Sequence, residues 1–439
     1  MTNISVSLFN KSVACISNGV IKYKKIHQQN KKEALEHMLQ AAARKYDQSH
    51  SKDTLDWGDV MCQAQPVEVK SNSTLPLCLS TKNFSKSSQV NISGFSMTVL
   101  HEIGRGSYGV VFLCEVAKEQ GISGHQIDDK CVAIKVQRPI GSLVWEHHIL
   151  KKLHERLPTN LNAPKHKDEI QRNKKQVCGQ YTYPFPKALL LASYTDGGIL
   201  GMTAGSQMGL NLVDIVNLHK VSGGGSVPEI LTIHYTCRML MHIESLHWHG
   251  KILHCDVKPD NWVVADSKEA CGNSSSRIIA GSELMLVDFG RAIDLQASSS
   301  KIGDPLNLKF EGDISAEDMA CVAMRNNEPW GIDIDTFGLC ASAHVLLYGT
   351  YMDITHGSDG RWRPKKTIRR YWQKELWSEF FDSLLNPKVK NTHQSGSHPN
   401  SVRAIRKSFE RYLDSRTNRQ AVVSLLKYQS ELLPKSRRK

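Results

Sequence analysis

Five polar residues of this 439-residue chain have the types and the spacing that phosphoryl chemistry requires. The stretch HCDVKPDN (254–261) contains Asp256, Lys258 and Asn261, and Asp288 ends the apolar run LMLVD further along the chain. Upstream, the apolar stretch VAIK ends at Lys135. Carboxylates and amide oxygens bind magnesium and orient a hydroxyl, while ammonium groups neutralise phosphate oxygens. Because phosphoryl transfer depends mainly on positioning and charge neutralisation, this set predicts a phosphotransfer site.

A glycine-rich stretch stands upstream of the lysine. IGRGSYGVV places Gly104, Gly106 and Gly109 at the Gly-x-Gly-x-x-Gly spacing, with Val111 close behind. Before a helix that spacing would indicate a dinucleotide site, but strand-like residues flank it on both sides. A glycine-rich hairpin fits instead, in which backbone amides approach phosphates without a Cβ in the way. Val111 and Ala133 are then expected to line the site of a bound nucleotide.

The order of these motifs is typical of protein kinases: glycine-rich loop, strand lysine, Asp-x-Lys-x-x-Asn and Asp-Phe-Gly. In that arrangement Asp256 accepts the proton of the attacking hydroxyl, while Lys258 and Lys135 neutralise phosphate charge. Asn261 and Asp288 hold magnesium, so the expected cofactors are ATP and Mg2+. Each motif alone is weak support, whereas the ordered series predicts an enzyme that transfers phosphate from ATP.

Two glutamates are candidates for the carboxylate partner of Lys135. Glu146 and Glu155 both lie in the helical pattern SLVWEHHILKKLHERL, and the residues alone leave both open. Because a lysine on a strand normally faces solvent, we expect Lys135→Met to abolish transfer with little loss of stability.

Asp335, in DIDTFG, stands at the head of an apolar helical run. One interpretation is an N-cap of that helix. The other is a structural role known from kinases, where an aspartate at this place braces the catalytic loop from beneath.

Two residues depart from the usual kinase pattern. Cys255 stands where an arginine normally precedes the catalytic aspartate, and Ala323 stands where a glutamate normally closes the activation segment. That arginine pairs with a phosphate on the activation segment, which a thiol cannot do. We therefore expect the segment from Asp288 to about Met324 to be ordered by packing and by an N-terminal extension, residues 55–95. Activity is then independent of phosphorylation there.

Strand-like and helical patterns divide the chain. Residues 1–54 are polar and expected to be largely disordered, with one helix in KKEALEHMLQAAARK. Strand-like stretches dominate residues 96–206, and helical patterns dominate 207–439, which ends in a basic tail. This order predicts an α+β, bilobal protein-kinase fold, with a strand-rich N-lobe and hinge followed by a helical C-lobe. The aromatic residues expected in the C-lobe core are Tyr371, Trp372, Trp377, Phe380 and Phe381.

Composition narrows the class of protein. The net charge of +13 favours acidic partners without choosing among them. Eleven cysteines without a C-x-x-C pair are typical of reduced thiols in the cytosol or nucleus. No signal peptide and no apolar run of about 20 residues is present, so no membrane partner is expected.

One basic stretch leaves direct nucleic-acid binding open. RWRPKKTIRRYWQK interleaves aromatic residues with cations, as nucleic-acid binders do. A solvated basic face is the favoured interpretation, and nucleic-acid binding is not expected. The cations are Arg361, Arg363, Lys365, Lys366, Arg369 and Arg370.

From about residue 55 onward the chain resembles the BUB family of mitotic spindle-checkpoint serine/threonine kinases. The resemblance rests on VAIKVQRP with a Trp-Glu pair soon after, on CRMLMHIESLH leading into ILHCDVKPDNWVV, and on NNEPWGIDIDTFG, LLYGTYM and LWSEFFDSLLN. It implies a kinase domain with an N-terminal extension, here residues 55–95, that packs on the small lobe. The matching pair Trp145–Glu146 favours Glu146 over Glu155 as the partner of Lys135.

The resemblance also implies a cellular role. Members of the family act at kinetochores in spindle-assembly-checkpoint signalling and phosphorylate a histone tail. A protein substrate, kinetochore and checkpoint proteins as partners, and a nuclear and kinetochore location with a cytoplasmic pool are therefore expected. The TPR-like domain and receptor-binding motif of the family are not evident in residues 1–95. Two alternatives stay open: a checkpoint pseudokinase or nucleotide-binding scaffold that acts by protein interaction, and a basic chromatin-binding protein.

Overall fold

The structure of the protein is a computed structural model. It describes residues 16–17, 20–22, 86–92, 95–106, 109–116, 131–138, 141–157, 185–194, 197–204, 208–223, 225–266, 282–298, 304–312, 320–387 and 397–436. The helix expected in residues 31–45, the disorder expected in 1–54 apart from two short strands, and most of the 55–95 extension lie outside the described residues.

A six-stranded antiparallel sheet forms the N-lobe, in the spatial order β3-β4-β5-β6-β8-β7. Its strands are β3 (Gln89–Ile92), β4 (Phe95–Arg105), β5 (Gly109–Val116), β6 (Cys131–Gln137), β7 (Ala188–Tyr194) and β8 (Gly197–Thr203). Helix α1 (Gly141–Arg156) packs beside β7 and β8. The edge strand β3 comes from the end of the 55–95 stretch, so the sheet begins before the expected boundary at residue 96.

Alternation along β5 and β6 assigns side chains to the two faces of this sheet. Successive strand residues point to opposite sides. Phe112 and its cross-strand partner Ile134 are buried in the cluster on one face. Leu113 and Ala133 pack on the other face against Met285, which belongs to the C-lobe. The second face therefore lines the cleft between the lobes.

Helices form most of the C-lobe. They are α2 (Leu212–Val221), α3 (Glu229–Ser245), α4 (Leu295–Ser298), α5 (Val322–Arg325), α6 (Asp333–Tyr348), α7 (Lys374–Leu385), α8 (Ser397–Leu413) and α9 (Arg416–Ser436). Every residue of α6 except Tyr348 is buried, because the helix is apolar nearly all round and lies between α2, α3 and α7.

Four of the five aromatic residues expected in the core are buried: Trp372, Trp377, Phe380 and Phe381. Tyr371 is the exception, with 71% of its surface exposed, so its assignment to the core was wrong. Its hydroxyl instead accepts a hydrogen bond from Arg369 at the surface, at 2.7 Å.

The C-lobe also contains short strands, of which β11 and β12 flank the expected catalytic residues. They are β9 (Met208–Asn211), β10 (Ile252–Leu253), β11 (Trp262–Asp266), β12 (Ser282–Leu286), β13 (Ile293–Asp294), β14 (Lys309–Glu311), β15 (Ile354–His356) and β16 (Trp362–Pro364). β11 and β12 pair antiparallel with Trp262 opposite Leu286. This register brings Asn261, just before β11, close to Asp288, just after β12.

An N-terminal hairpin reaches the C-lobe. Strands β1 (Ile16–Ser17) and β2 (Val20–Lys22) pair with each other, and β2 also pairs in parallel with β14. The described part of the N-terminus thus contacts the activation segment.

None of the described helices has the length and apolar character needed to cross a membrane. The six cysteines in this part of the chain are free thiols.

Candidate active site

Lys135 lies at the centre of an ion-paired cluster between the lobes. From β6 its Nζ donates to Glu146 Oε2 at 2.7 Å and to Asp288 Oδ1 at 2.8 Å. Glu146, on α1, is buried, and its other oxygen accepts the Phe289 amide at 3.1 Å. Glu155 lies exposed near the far end of the same helix. The fold therefore brings Glu146, and not Glu155, to the lysine.

The Lys135 side chain does not face solvent, which corrects the expectation from sequence. Only 13% of it is exposed, because Glu146 and Asp288 lie against it. Burial by itself would lower the pKa of Lys135, but these two carboxylates outweigh burial and raise it. Partial burial would raise the pKa of Asp288, and Lys135 instead brings it down to about 2. Lys135 and Asp288 therefore stay charged at neutral pH.

The stretch from Asp256 to Asn261 folds into a compact loop around the Asp256 carboxylate, the predicted catalytic group. Lys258 Nζ lies 2.9 Å from Asp256 Oδ2, and Asn261 Nδ2 donates to the same oxygen at 3.3 Å. Asn261 also donates to the Asp256 carbonyl at 2.8 Å. These bonds hold the buried carboxylate by one oxygen and leave Oδ1 available to a substrate hydroxyl.

Arg291 is a neighbour of this carboxylate that sequence reasoning missed. Its Nη1 lies 3.6 Å from Asp256 Oδ1, and the residue follows directly after Asp-Phe-Gly. The arginine directly after Asp-Phe-Gly is the sequence feature that could have predicted this contact. The contact places a cation beside Oδ1, the oxygen that would receive the proton, while Lys258 lies beside Oδ2.

Asp288 and Asn261 provide a donor set that fits magnesium. Asp288 has a left-handed backbone, with φ 68°, that turns its side chain into the cleft, where 45% of it is exposed. Magnesium typically takes one or two protein oxygens and completes its shell with water and phosphate oxygens. A carboxylate and an amide oxygen suffice for that, and no group of three or more His, Cys, Asp or Glu side chains suited to a metal occurs among the described residues.

An apolar cluster joins the two lobes close to Lys135. Val111 and Ala133, which sequence analysis assigned to the nucleotide, pack with Val263, Met285 and Val287 from the C-lobe. The three C-lobe residues were not foreseen, although Val263 and Val287 stand close to the motifs in the sequence. Apolar side chains from both lobes are suited to contact the flat base of a nucleotide.

The three glycines of the glycine-rich loop differ in how closely a Cβ atom would approach its neighbours. At Gly109 a Cβ would lie 2.5 Å from the Val136 carbonyl oxygen, so the neighbouring strand excludes any side chain there. At Gly104 and Gly106 a Cβ would meet nothing closer than 3.9 Å. Internal packing therefore explains only Gly109, and close approach of backbone to phosphate remains the predicted reason for the other two.

Asp335 lies beneath the catalytic loop and not at a helix cap. It is fully buried in the first turn of α6, and it accepts the amides of His254 and Cys255, each at 2.8 Å. His247 Nε2 lies 2.8 Å from the same carboxylate. Burial would raise the pKa of Asp335, but His247 and the other neighbours outweigh it and lower the pKa. The N-cap interpretation is therefore wrong, and the geometry is that of a brace.

Cys255 occupies the place of the missing arginine without any polar function. Its side chain is buried, and burial raises the pKa of the thiol well above its ordinary value. A neutral, enclosed thiol cannot bind a phosphate. The backbone of Cys255 has φ 62°, a left-handed conformation that is unfavourable for residues other than glycine.

Main-chain pairing holds the part of the activation segment that the structure describes. Phe310 and Trp330 exchange two backbone hydrogen bonds, of 2.7 and 3.0 Å, and both side chains are buried. On the other side, β2 pairs with β14, with Ile21 opposite Phe310. Ala323 lies in the short helix α5 and packs against the core as an apolar residue. None of these contacts needs a phosphate.

Much of the charge in the basic stretch 361–374 is compensated within the protein. Arg361 forms a bidentate ion pair with Asp382, at 2.6 Å for each bond. Arg363 pairs with Asp359, and Lys365 pairs with Asp353. Three of the six cations considered for nucleic-acid binding therefore have carboxylate partners, which favours the solvated-face interpretation.

Comparison with known proteins is consistent with this geometry. No protein-family model matches the chain. The Arabidopsis thaliana mitotic checkpoint serine/threonine-protein kinase BUB1 is 30% identical over 366 residues, which is 82% of this chain and 60% of that protein. The Saccharomyces cerevisiae spindle assembly checkpoint serine/threonine-protein kinase BUB1 is 27% identical over 65% of this chain and 25% of its own length. The Mus musculus mitotic checkpoint serine/threonine-protein kinase BUB1 is 28% identical over 66% of this chain and 23% of its own.

A solved structure supports the fold. The crystal structure of the BubR1 kinase domain superposes with a TM-score of 0.60 at 23% identity, covering 80% of this chain and 89% of that chain. The two-lobed arrangement is therefore a protein-kinase fold. The chain spans about 60% of the Arabidopsis relative and about a quarter of the yeast and mouse relatives. By these matches and the motifs that carry them, the chain is similar to the BUB family of mitotic checkpoint serine/threonine-protein kinases.

Proposed function

We propose that the protein is an active protein serine/threonine kinase that uses ATP and Mg2+. The observation that carries the proposal is the bond network of Lys135, which joins Glu146 on the N-lobe to Asp288 on the C-lobe. Such a bridge is required for phosphate binding in kinases, and it is assembled here together with the loop around Asp256. Relatives named as serine/threonine-protein kinases support the same function.

The residues divide the chemistry among them. Asp256 Oδ1 would accept the proton of a substrate serine or threonine hydroxyl. The hydroxyl oxygen of the substrate forms its bond to the γ-phosphorus at the same time. The bond from the γ-phosphorus to the ADP oxygen breaks in the same displacement. Lys258 would neutralise the transferring phosphoryl group, and Lys135 the α- and β-phosphates. Asp288 and Asn261 would hold magnesium, which supplies charge neutralisation between the phosphates.

We further propose a role in spindle-assembly-checkpoint signalling, at kinetochores and in the nucleus. The names of the relatives support the checkpoint role. A histone tail is the proposed substrate, and kinetochore and checkpoint proteins are the proposed partners. A cytoplasmic pool is part of the same proposal.

A second candidate is a nucleotide-binding scaffold that acts through protein interaction. Cys255 and Ala323 favour it, because both depart from the pattern of kinases switched on by phosphorylation.

A phosphate-transfer assay distinguishes the two candidates. Purified protein is incubated with radiolabelled MgATP and nucleosomes or free histones, beside an Asp256→Asn variant of the same chain. We expect label on serine or threonine with the wild type and almost none with the variant. Equal labelling by both proteins, or none with binding of MgATP retained, would favour the scaffold.

A further inference from the structure

Helix α1 is fastened to the C-lobe near both ends by contacts that do not involve the catalytic lysine. Near its start, Trp145 donates its indole N–H to the Ala292 carbonyl at 2.8 Å. At its last residue, Arg156 donates to the two oxygens of Asp294, at 2.8 and 2.7 Å. Arg156 also donates to the Gly250 carbonyl at 3.0 Å.

These fastenings are buried and geometrically specific. Trp145 is 3% exposed and Asp294 is 1% exposed. A buried indole N–H requires an acceptor, and a buried carboxylate requires a partner. Asp294 Oδ1 also accepts the amides of Gln296 and Ala297, at 3.0 and 3.2 Å, which fixes the carboxylate in place. The two parallel bonds from Arg156 therefore fix an orientation as well as a distance.

The spacing of the two anchors determines which motions they oppose. Trp145 and Arg156 are separated by about three helical turns, so they lie on the same face of α1, about 16 Å apart along its axis. One anchor would leave the helix free to pivot. Two anchors on one face oppose both rotation about the axis and swinging away from the C-lobe.

The anchors end in the stretch of chain that carries the metal carboxylate. Ala292 and Asp294 follow Asp288 by a few residues. Phe289, which comes directly after Asp288, donates its amide to Glu146. The helix that presents Glu146 and the turn that presents Asp288 are therefore joined at three points. A displacement of α1 would separate both carboxylates from Lys135.

We propose that Trp145 and Arg156 are positioning residues that, through Ala292 and Asp294, hold Glu146 and Asp288 against Lys135. This inference rests on the proposed kinase function and adds how the phosphate clamp is assembled without an arginine at position 255. The anchors belong to the helix and to the turn after Asp288. They do not depend on modification of the activation segment.

The test uses three substitutions in the full chain. Trp145→Phe keeps most of the ring and removes the N–H. Arg156→Lys keeps the charge and removes the two parallel bonds. Asp294→Asn keeps the Oδ1 acceptor for the following amides and removes the charge. Lys152→Ala, on an exposed part of the same helix, is the matched control.

We expect the three variants to raise the KM for ATP by about tenfold while kcat at saturating ATP changes much less. The reason is that a helix free to move lowers the populated fraction of the assembled site, and bound nucleotide restores it. Hydrogen exchange of the peptide that contains Phe289 should speed up in the same variants. The control should match the wild type in all three measurements.

A purely structural role would give a different result. If the three variants lower the melting temperature but leave the KM for ATP and the exchange of residues 289–292 unchanged, the proposal is overturned. Failure of the kinase function would appear in the wild type, which would transfer no phosphate. In that case only hydrogen exchange tests the anchors. An exchange rate at residues 289–292 that is the same in the three variants and the wild type would overturn the proposal.

Discussion

The Asp335 carboxylate accepts the backbone amide of Cys255 at 2.8 Å, across 80 positions of sequence. Cys255 has a left-handed backbone that costs roughly 1 kcal/mol or more in a residue other than glycine. A buried carboxylate directly beneath its N–H offsets that cost and holds the turn that presents Asp256. The position of Asp256, the proposed catalytic aspartate, thus depends on α6, and not on the side chain at position 255.

Asp335→Asn should lower kcat by about a hundredfold, because an amide group would face one of the two N–H donors and displace the loop. The KM for ATP should stay near the wild-type value, since the bonds of Lys135 are untouched. Steady-state kinetics measures both. Ser342→Ala, which removes a hydrogen bond inside the same helix, controls for a general loss of helix stability. A variant within twofold of the wild-type kcat would show that the brace is unimportant.

Lys135→Met should abolish transfer and also destabilise the protein by about 3 kcal/mol, because buried Glu146 loses its cation. Adding Glu146→Gln should recover most of the stability and none of the activity. Denaturant unfolding and the transfer assay together measure the two effects. An unfolding free energy equal to that of the wild type for Lys135→Met alone would contradict the buried pair.

Cys255→Arg should not raise activity and should lower the melting temperature. The thiol is enclosed, so a guanidinium would have to enter the core without a partner. Cys255→Ser, which is nearly equal in size, is the control and should lower the melting temperature less. Higher kcat in the arginine variant after kinase treatment would mean that a phosphate is available to that position.

Ile21→Pro should loosen the activation segment, because proline cannot donate a strand hydrogen bond and would disturb the pairing of β2 with β14. Faster hydrogen exchange in residues 308–312 is the expected readout, with Ile21→Ala as the control that keeps the backbone N–H. Phosphatase treatment of the wild type should change kcat by less than tenfold. Unchanged exchange in the proline variant, or a larger loss on dephosphorylation, would count against main-chain ordering of the segment.

Acid should destabilise the protein as the pH falls below about 6.5, because buried histidines must become charged on unfolding. His242 of α3 is buried against β12, and burial lowers its pKa to about 3. The unfolded chain therefore binds the extra proton between about pH 6.5 and 3, and one such group costs about 2 kcal/mol at pH 5. His242→Gln keeps a donor for the Leu284 carbonyl and should reduce the loss of stability between pH 7.5 and pH 5. The same loss in variant and wild type would rule out this histidine as a major contributor.

Much of the fold, and the residues that lie together in the candidate site, could be predicted from residue types and their order. Phosphate transfer requires a carboxylate, ammonium groups and magnesium ligands, and the motifs that contain them have a recognisable spacing. The spacing of apolar residues also separated the two lobes. Apolar residues on the buried face repeat at one spacing in a strand and at another in a helix, so the two kinds of element can be distinguished from sequence. The aromatic stretch 371–381 shows the limit, because apolar character alone did not distinguish exposed Tyr371 from its buried neighbours.

By itself, the sequence determined which groups can do chemistry, the order of the lobes and the loss of the arginine at position 255. The tertiary structure alone decided that Lys135 is enclosed, that Asp335 braces a loop, that Arg291 lies beside Asp256 and that Trp145 reaches Ala292. Apart from Lys135 and Glu146, which are 11 positions apart, those partners are 35 to 153 positions apart along the chain. Local pattern reports only neighbours within a few residues, whereas burial, pairing and pKa depend on which distant segments folding brings together.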